Sequence, residues 1–107
     1  MKTNLEGFEE LVLLTIATLG EEAYGVSIKE ALELYSKRET SMGALHSTMT
    51  RLEESGLLKS WTGGATNERG GRSKRYYELT RDGKAALTQA KNLRNELWNL
   101  SKVKLSY

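Results

Sequence analysis

Residues 41–58, SMGALHSTMTRLEESGLL, decide the fold. They read as one amphipathic helix, opened by Ser41 as N-cap and closed at Gly56. Leu45, Met49 and Leu52 follow at spacings of four and three, which places them on one face. The opposite face carries Gly43, Ala44, Ser47, Thr50 and Arg51, where a solvated helix ordinarily carries Glu and Lys. A face of small and hydroxylated residues lies close against another surface, and the major groove of DNA is wide enough to admit such a helix. The alternative is a core helix whose outer face is short of long side chains, and this segment by itself leaves both readings open.

Working back toward the N-terminus, residues 4–19 carry a helical pattern with Phe8, Leu11, Val12, Thr15, Ile16 and Leu19 on a broad inner face. Leu13 and Leu14 fall on the far side. A helix apolar nearly all round is buried on more than one side, so these two are expected against a second subunit. Gly20 ends the helix. A second helix spans about 24–36, with Ile28, Ala31, Leu32 and Tyr35 inside and Lys29, Glu30 and Glu33 facing water. Two helices, a short link and a third helix with a small polar face predict a helix-turn-helix.

Beyond Gly56, residues 57–62 alternate as a short strand, and 76–80, YYELT, form a second one rich in β-formers. Between them lies a glycine-rich stretch with Arg69, Arg72 and Lys74, followed by Arg75. The pattern predicts a hairpin with a basic tip, which reads as a clamp for phosphates; the plain alternative is a surface loop. Thr80 caps a last helix that runs to about residue 101. Ala86, Ala90, Leu93, Leu97 and Leu100 recur at four, three, four and three, the 3.5-residue period of two packed helices. Little of a small domain is left for this seam to cover, so it is expected to meet a partner copy. Trp98 flanks it.

Composition narrows the classes. A chain of 107 residues without cysteine makes one domain with a modest core, no disulfides and no thiolate metal site. The single histidine builds no zinc cluster, and no cofactor is expected. The longest apolar run, 11–14, is too short to cross a bilayer, and a cytoplasmic protein is expected. Net charge is only +2, but it is divided: −4 over residues 1–40 and +6 over 41–107. The positive share lies where a DNA-facing surface needs it. There is no P-loop and no nucleophile–base pattern, so an enzyme is not expected. The fold expected is mainly α with a small β-hairpin: a winged helix-turn-helix over 1–80 and a dimerisation helix and tail over 81–107, in one structural unit.

Three segments together, AYGVSI (23–28), MGALHSTMTRLEESGLL (42–58) and GGRSKRYYELTRDGKAAL (70–87), resemble the PadR family of bacterial transcriptional regulators. The likeness spans about residues 8–87. A single helix after the hairpin is similar to the family's small subgroup. The resemblance implies a homodimer on double-stranded DNA, with the 41–55 helix in the major groove and the hairpin as a wing. It also implies repression of nearby genes, in some members relieved by a small ligand. On this reading Ser41, Ala44, His46, Ser47, Thr50 and Arg51 serve recognition, and Arg69, Arg72, Lys74 and Arg75 hold phosphates. His46 and Ser47 stand where the family usually has tyrosine and then proline, so His46 is either a contact or a half-exposed helix residue. Some relatives bind flat aromatic compounds between subunits through a tryptophan of the last helix. Trp98 is therefore a candidate for a small aromatic effector or plain dimer packing. A winged-helix protein-interaction module is the remaining alternative, and the basic hairpin speaks against it.

Overall fold

The computed structural model describes residues 5–63 and 73–103. Helix α1 (Gly7–Leu19) passes through a single 3-10 turn (Gly20–Glu22) into α2 (Gly25–Ser36). Helix α3 (Met42–Glu54), strands β1 (Leu58–Gly63) and β2 (Lys74–Leu79) and helix α4 (Arg81–Leu100) follow. The strands form an antiparallel hairpin with Leu58 opposite Leu79 and Gly63 opposite Lys74. Tyr24 adds an isolated bridge to Tyr76, and the Tyr77 amide donates to the Ala23 carbonyl at 2.9 Å. The hairpin is thereby tied to the turn before α2. This is the expected winged helix-turn-helix architecture, mainly helical with one small hairpin.

Both expected caps are formed. Ser41 Oγ accepts from the Ala44 amide at 3.0 Å, and Thr80 Oγ1 accepts from the Gly83 amide at 3.0 Å. Each fills an otherwise orphan donor of a first helical turn. Gly56 takes φ +81°, the left-handed region that suits a residue without Cβ. Ser41→Ala is expected to lower stability by about 1 kcal/mol, read from the urea midpoint. An unchanged midpoint would show that water replaces the cap.

The core joins Val12, Leu13 and Ile16 of α1, Ile28 and Leu32 of α2, and Leu45, Met49 and Leu52 of α3 to Leu57, Leu58, Tyr77, Leu79 and Ala86. Helix α1 is rotated from the phase expected. Leu13 is fully buried within its own chain, whereas Leu11 and Leu14 are 46% and 43% exposed. Leu13 is therefore core, not dimer surface. Thr15 enters the core because its hydroxyl donates to the Leu11 carbonyl at 2.7 Å, and buried Glu9 accepts from the Glu6 amide at 2.9 Å. Tyr35, expected inside, is 68% exposed.

The link between α2 and α3 is held by Glu33. Its carboxylate accepts from the Thr40 amide at 2.7 Å and from Lys29 Nζ at 3.1 Å. The Thr40 amide, aided by Lys29, holds this carboxyl below the usual glutamate range. The tie is complete at neutral pH and is released only as acid takes the pH down through that lowered value.

Helix α4 divides into two halves. Gly83 and Ala86 are buried and Leu87 packs on the core, whereas every residue from 91 to 100 is exposed. Ala86, the first member of the expected seam, is spent in the chain's own core rather than at a partner. The remaining seam carries Leu93 (55% exposed), Leu97 (59%) and Leu100 (67%). Among the described residues, an ion pair from the Arg94 guanidinium to the Glu10 carboxylate ties this half to α1.

Candidate nucleic-acid interface

Helix α3 has two faces of opposite character. Leu45, Thr48, Met49 and Leu52 are buried, and Ala44, His46, Ser47, Thr50 and Arg51 are exposed, together with the cap Ser41. At 100° per residue, Gly43, Ser47, Thr50 and Glu54 hold the centre of the outer face, and Ala44 and Arg51 lie along the flank opposite His46. Arg51 is partly tethered: its Nη2 donates to Thr48 Oγ1 at 3.4 Å, a long bond that competes weakly with any outside acceptor. His46 sits two turns before Glu53 on the same stripe, along the flank that faces the hairpin.

The hairpin sorts its side chains by strand alternation. Leu58, Ser60, Arg75, Tyr77 and Leu79 point to the α3 and core side; Lys59, Trp61, Tyr76, Glu78 and Lys74 point away from it. On the first face a relay joins helix to wing: Arg75 Nη1 donates to Ser60 Oγ at 3.2 Å, and Ser60 Oγ donates to Glu53 Oε2 at 2.7 Å. Arg75 is thus held beside the C-terminal end of α3. Below it Tyr77 is buried, and that burial pushes its phenol above the ordinary range, so it stays protonated.

Lys74 departs from the expectation of a basic cluster. Its Nζ lies 4.0 Å from the centroid of the Tyr24 ring, a cation–π contact on the far side of β2 from Arg75. Consecutive strand residues cannot both face the same way, and β2 begins at Lys74 rather than at Tyr76. Arg69 and Arg72 lie outside the described residues. The relay of Glu53, Ser60 and Arg75 joins three elements and leaves no mark in the local sequence.

Among the described residues, no three His, Cys, Asp or Glu side chains group to hold a metal ion, and no helix is long and apolar enough to cross a membrane. What remains is a capped helix with a short-chained outer face, flanked by an arginine-bearing hairpin. That arrangement can present hydrogen-bonding groups at groove depth and a cation at the flank.

Comparison with known proteins agrees with this geometry. Residues 12–89 match the model of the transcriptional regulator PadR-like family. A PadR-like transcription factor from Bacteroides fragilis superposes with a TM-score of 0.69 at 26% identity, over 88% of this chain and 86% of that one. A PadR family transcriptional regulator from Eggerthella lenta gives 0.66 at 28% identity, over 83% and 75%. RosR of H. salinarum, solved in a complex, gives 0.64 at 26% identity, over 94% and 77%. No curated protein matches the sequence.

Proposed function

The chain belongs to the PadR-like family of transcriptional regulators, and from that premise we propose that it represses transcription by gripping a pseudo-palindromic operator as a homodimer. The observation that carries this reading is the outer face of α3, exposed throughout and built from Ala44, Ser47, Thr50 and Arg51. Arg51 suits a bidentate bond to guanine. Ser47 and Thr50 suit base edges or phosphates, and Ala44 a thymine methyl. His46, on the wing-side flank, is placed for a contact at the groove wall. Arg75 takes a phosphate, with Arg69 and Arg72 as its proposed companions.

The exposed half of α4 supports the dimer. Leu93, Leu97 and Leu100 form a stripe left exposed among the described residues and continued by half-buried Ala90, and Leu14 with Leu11 on α1 adds a second apolar strip. Trp98, 52% exposed, borders the stripe and is assigned to packing there. We take 1–80 as the DNA-binding part and 81–107 as the dimer-forming part. A two-fold pair of recognition helices then reads half-sites about 34 Å apart, one turn of the duplex.

A gel-shift series with DNA from upstream of the gene tests this. Three or four phosphate contacts per protomer predict that log K falls with log salt at a slope of roughly −5 to −7. Changing Arg75 to Ala should lower that slope by about one unit per protomer. A slope near zero would sink the electrostatic part of the reading, and absence of binding by a folded dimer would sink the whole of it.

Ser60→Ala gives a finer check. It frees the Arg75 guanidinium without removing its charge. The side chain must then be ordered on binding, which lowers affinity about two- to tenfold. The salt slope should not change, because the same phosphates are neutralised. A changed slope would mean that Ser60 itself touches DNA.

A further inference from the structure

Helix α3 is held at both ends by a glutamate. At its far end Glu53 accepts from Ser60 of the wing. At its near end Glu33, on α2, reaches across the turn that delivers α3. Its backbone carbonyl accepts the Lys37 amide at 2.9 Å, and its carboxylate accepts the Thr40 amide at 2.7 Å. Thr40 directly precedes the cap Ser41. The turn between these two bonds needs holding. Lys37 takes φ +59°, a left-handed conformation that a lysine enters at a cost, and no other non-glycine residue does so among the described residues. Lys37, Arg38 and Glu39 are all exposed, so burial does little to fix the turn.

The angle of that turn matters at the outer face of α3. Apolar packing is non-directional, so the buried face of the helix fixes its depth better than its tilt. At 1.5 Å per residue Arg51 lies roughly 16 Å along the axis from Thr40, so a swing of about 10° at the turn moves it by roughly 3 Å. A displacement of that size breaks a hydrogen bond to a base edge. Attraction to a phosphate falls off gently with distance and survives it.

We propose that Glu33 is a positioning residue for sequence recognition: by holding the Thr40 amide it fixes the angle at which α3 meets base edges, and so sets how far the operator is preferred over other DNA. This rests on the DNA-binding reading. It gives the carboxylate a role that its charge alone would oppose, since an anion on a DNA-binding domain repels phosphates.

Two variants of the full chain separate reach from charge. Glu33→Gln loses the charge, and with it the pairing to Lys29, but keeps an oxygen at the same reach for the Thr40 amide. Glu33→Asp keeps the charge and draws the carboxylate back by one methylene. Gel-shifts compare both with the unaltered protein on a fragment from upstream of the gene and on a shuffled fragment of equal length and composition. The ratio of the two affinities should stay within about threefold of the unaltered value for Glu33→Gln and fall about tenfold or more for Glu33→Asp, with the loss on the upstream fragment alone. A like fall on both fragments, equal ratios for the two variants, or the better ratio for Glu33→Asp overturns the proposal. Hydrogen exchange of the Thr40 amide, followed by NMR without DNA, reads the tie itself. It should be slow in the unaltered protein and in Glu33→Gln, and faster in Glu33→Asp. Exchange equally fast, or equally slow, in all three overturns the assignment of this amide to Glu33. An unaltered protein with a slow Thr40 amide and no preference for the upstream fragment sinks the DNA-binding reading and leaves the tie standing.

Discussion

Replacing Leu93 and Leu97 together with glutamate is expected to make the protein monomeric and to reduce its affinity for a two-half-site operator at least a hundredfold. Both side chains stand more than half exposed on the part of α4 that leaves the core. Burying a leucine against a partner contributes about 1.5–3 kcal/mol, and two-fold symmetry doubles each contribution. A carboxylate at either position would instead have to enter the seam without a counter-charge. Loss of the dimer then removes the gain of bivalent binding, on the order of 10²–10⁴ in affinity. Analytical ultracentrifugation reads the first effect and a gel-shift the second. The discriminating control is a DNA carrying one half-site, for which the variant should match the unaltered protein. A variant that stays dimeric would remove α4 from the interface.

The second large effect is expected at Gly83. A Cβ built there would lie 2.1 Å from the Leu57 carbonyl oxygen, and backbone stands on both sides of the clash. Leu57 cannot retreat easily, since its carbonyl also accepts the Thr80 amide at 3.1 Å while Thr80 Oγ1 donates to the Gly56 carbonyl at 2.6 Å. Gly83→Ala should therefore destabilise the fold by about 2–4 kcal/mol, even though alanine is the better helix former by about 1 kcal/mol. Gly43→Ala is the matched control: an added Cβ meets nothing within 4 Å, so the sign reverses to a gain of about half a kcal/mol. Urea denaturation of the two variants measures both. Equal shifts would mean that the α4 turn relaxes around the methyl group.

Much of this was legible in the sequence for local reasons. Ser41 and Thr80 are hydroxyl caps just before periodic runs, and Leu45, Met49 and Leu52 leave one phase for α3. The phase of α1 was not legible. LVLLTIATL is apolar at almost every position, so several rotations satisfy the pattern. The one adopted keeps Thr15 inside, as the pattern has it, but buries Leu13 and exposes Leu11. Lys74 parts from Arg75 for a related reason. Both are poor strand signals, so the pattern starts the strand at Tyr76, whereas in the structure it starts at Lys74 and alternation turns the two cations to opposite faces. Gly83 did leave a trace, as a glycine in the first turn of a helix whose other residues favour helix; such a glycine points to a close backbone approach. The relay from Glu53 through Ser60 to Arg75 joins three elements, and no local pattern could announce it.

The division of α3 into a packed side and a bare side bears on how such a regulator diverges. Ala44, Ser47, Thr50 and Arg51 contribute almost nothing to the core, and exposed positions of this kind accept substitution within about 0.5 kcal/mol. On the proposed reading, the lettering of the binding site is therefore written on residues that folding does not inspect. A duplicated copy can drift to a new set of promoters by changes at those positions alone, with its architecture inherited intact.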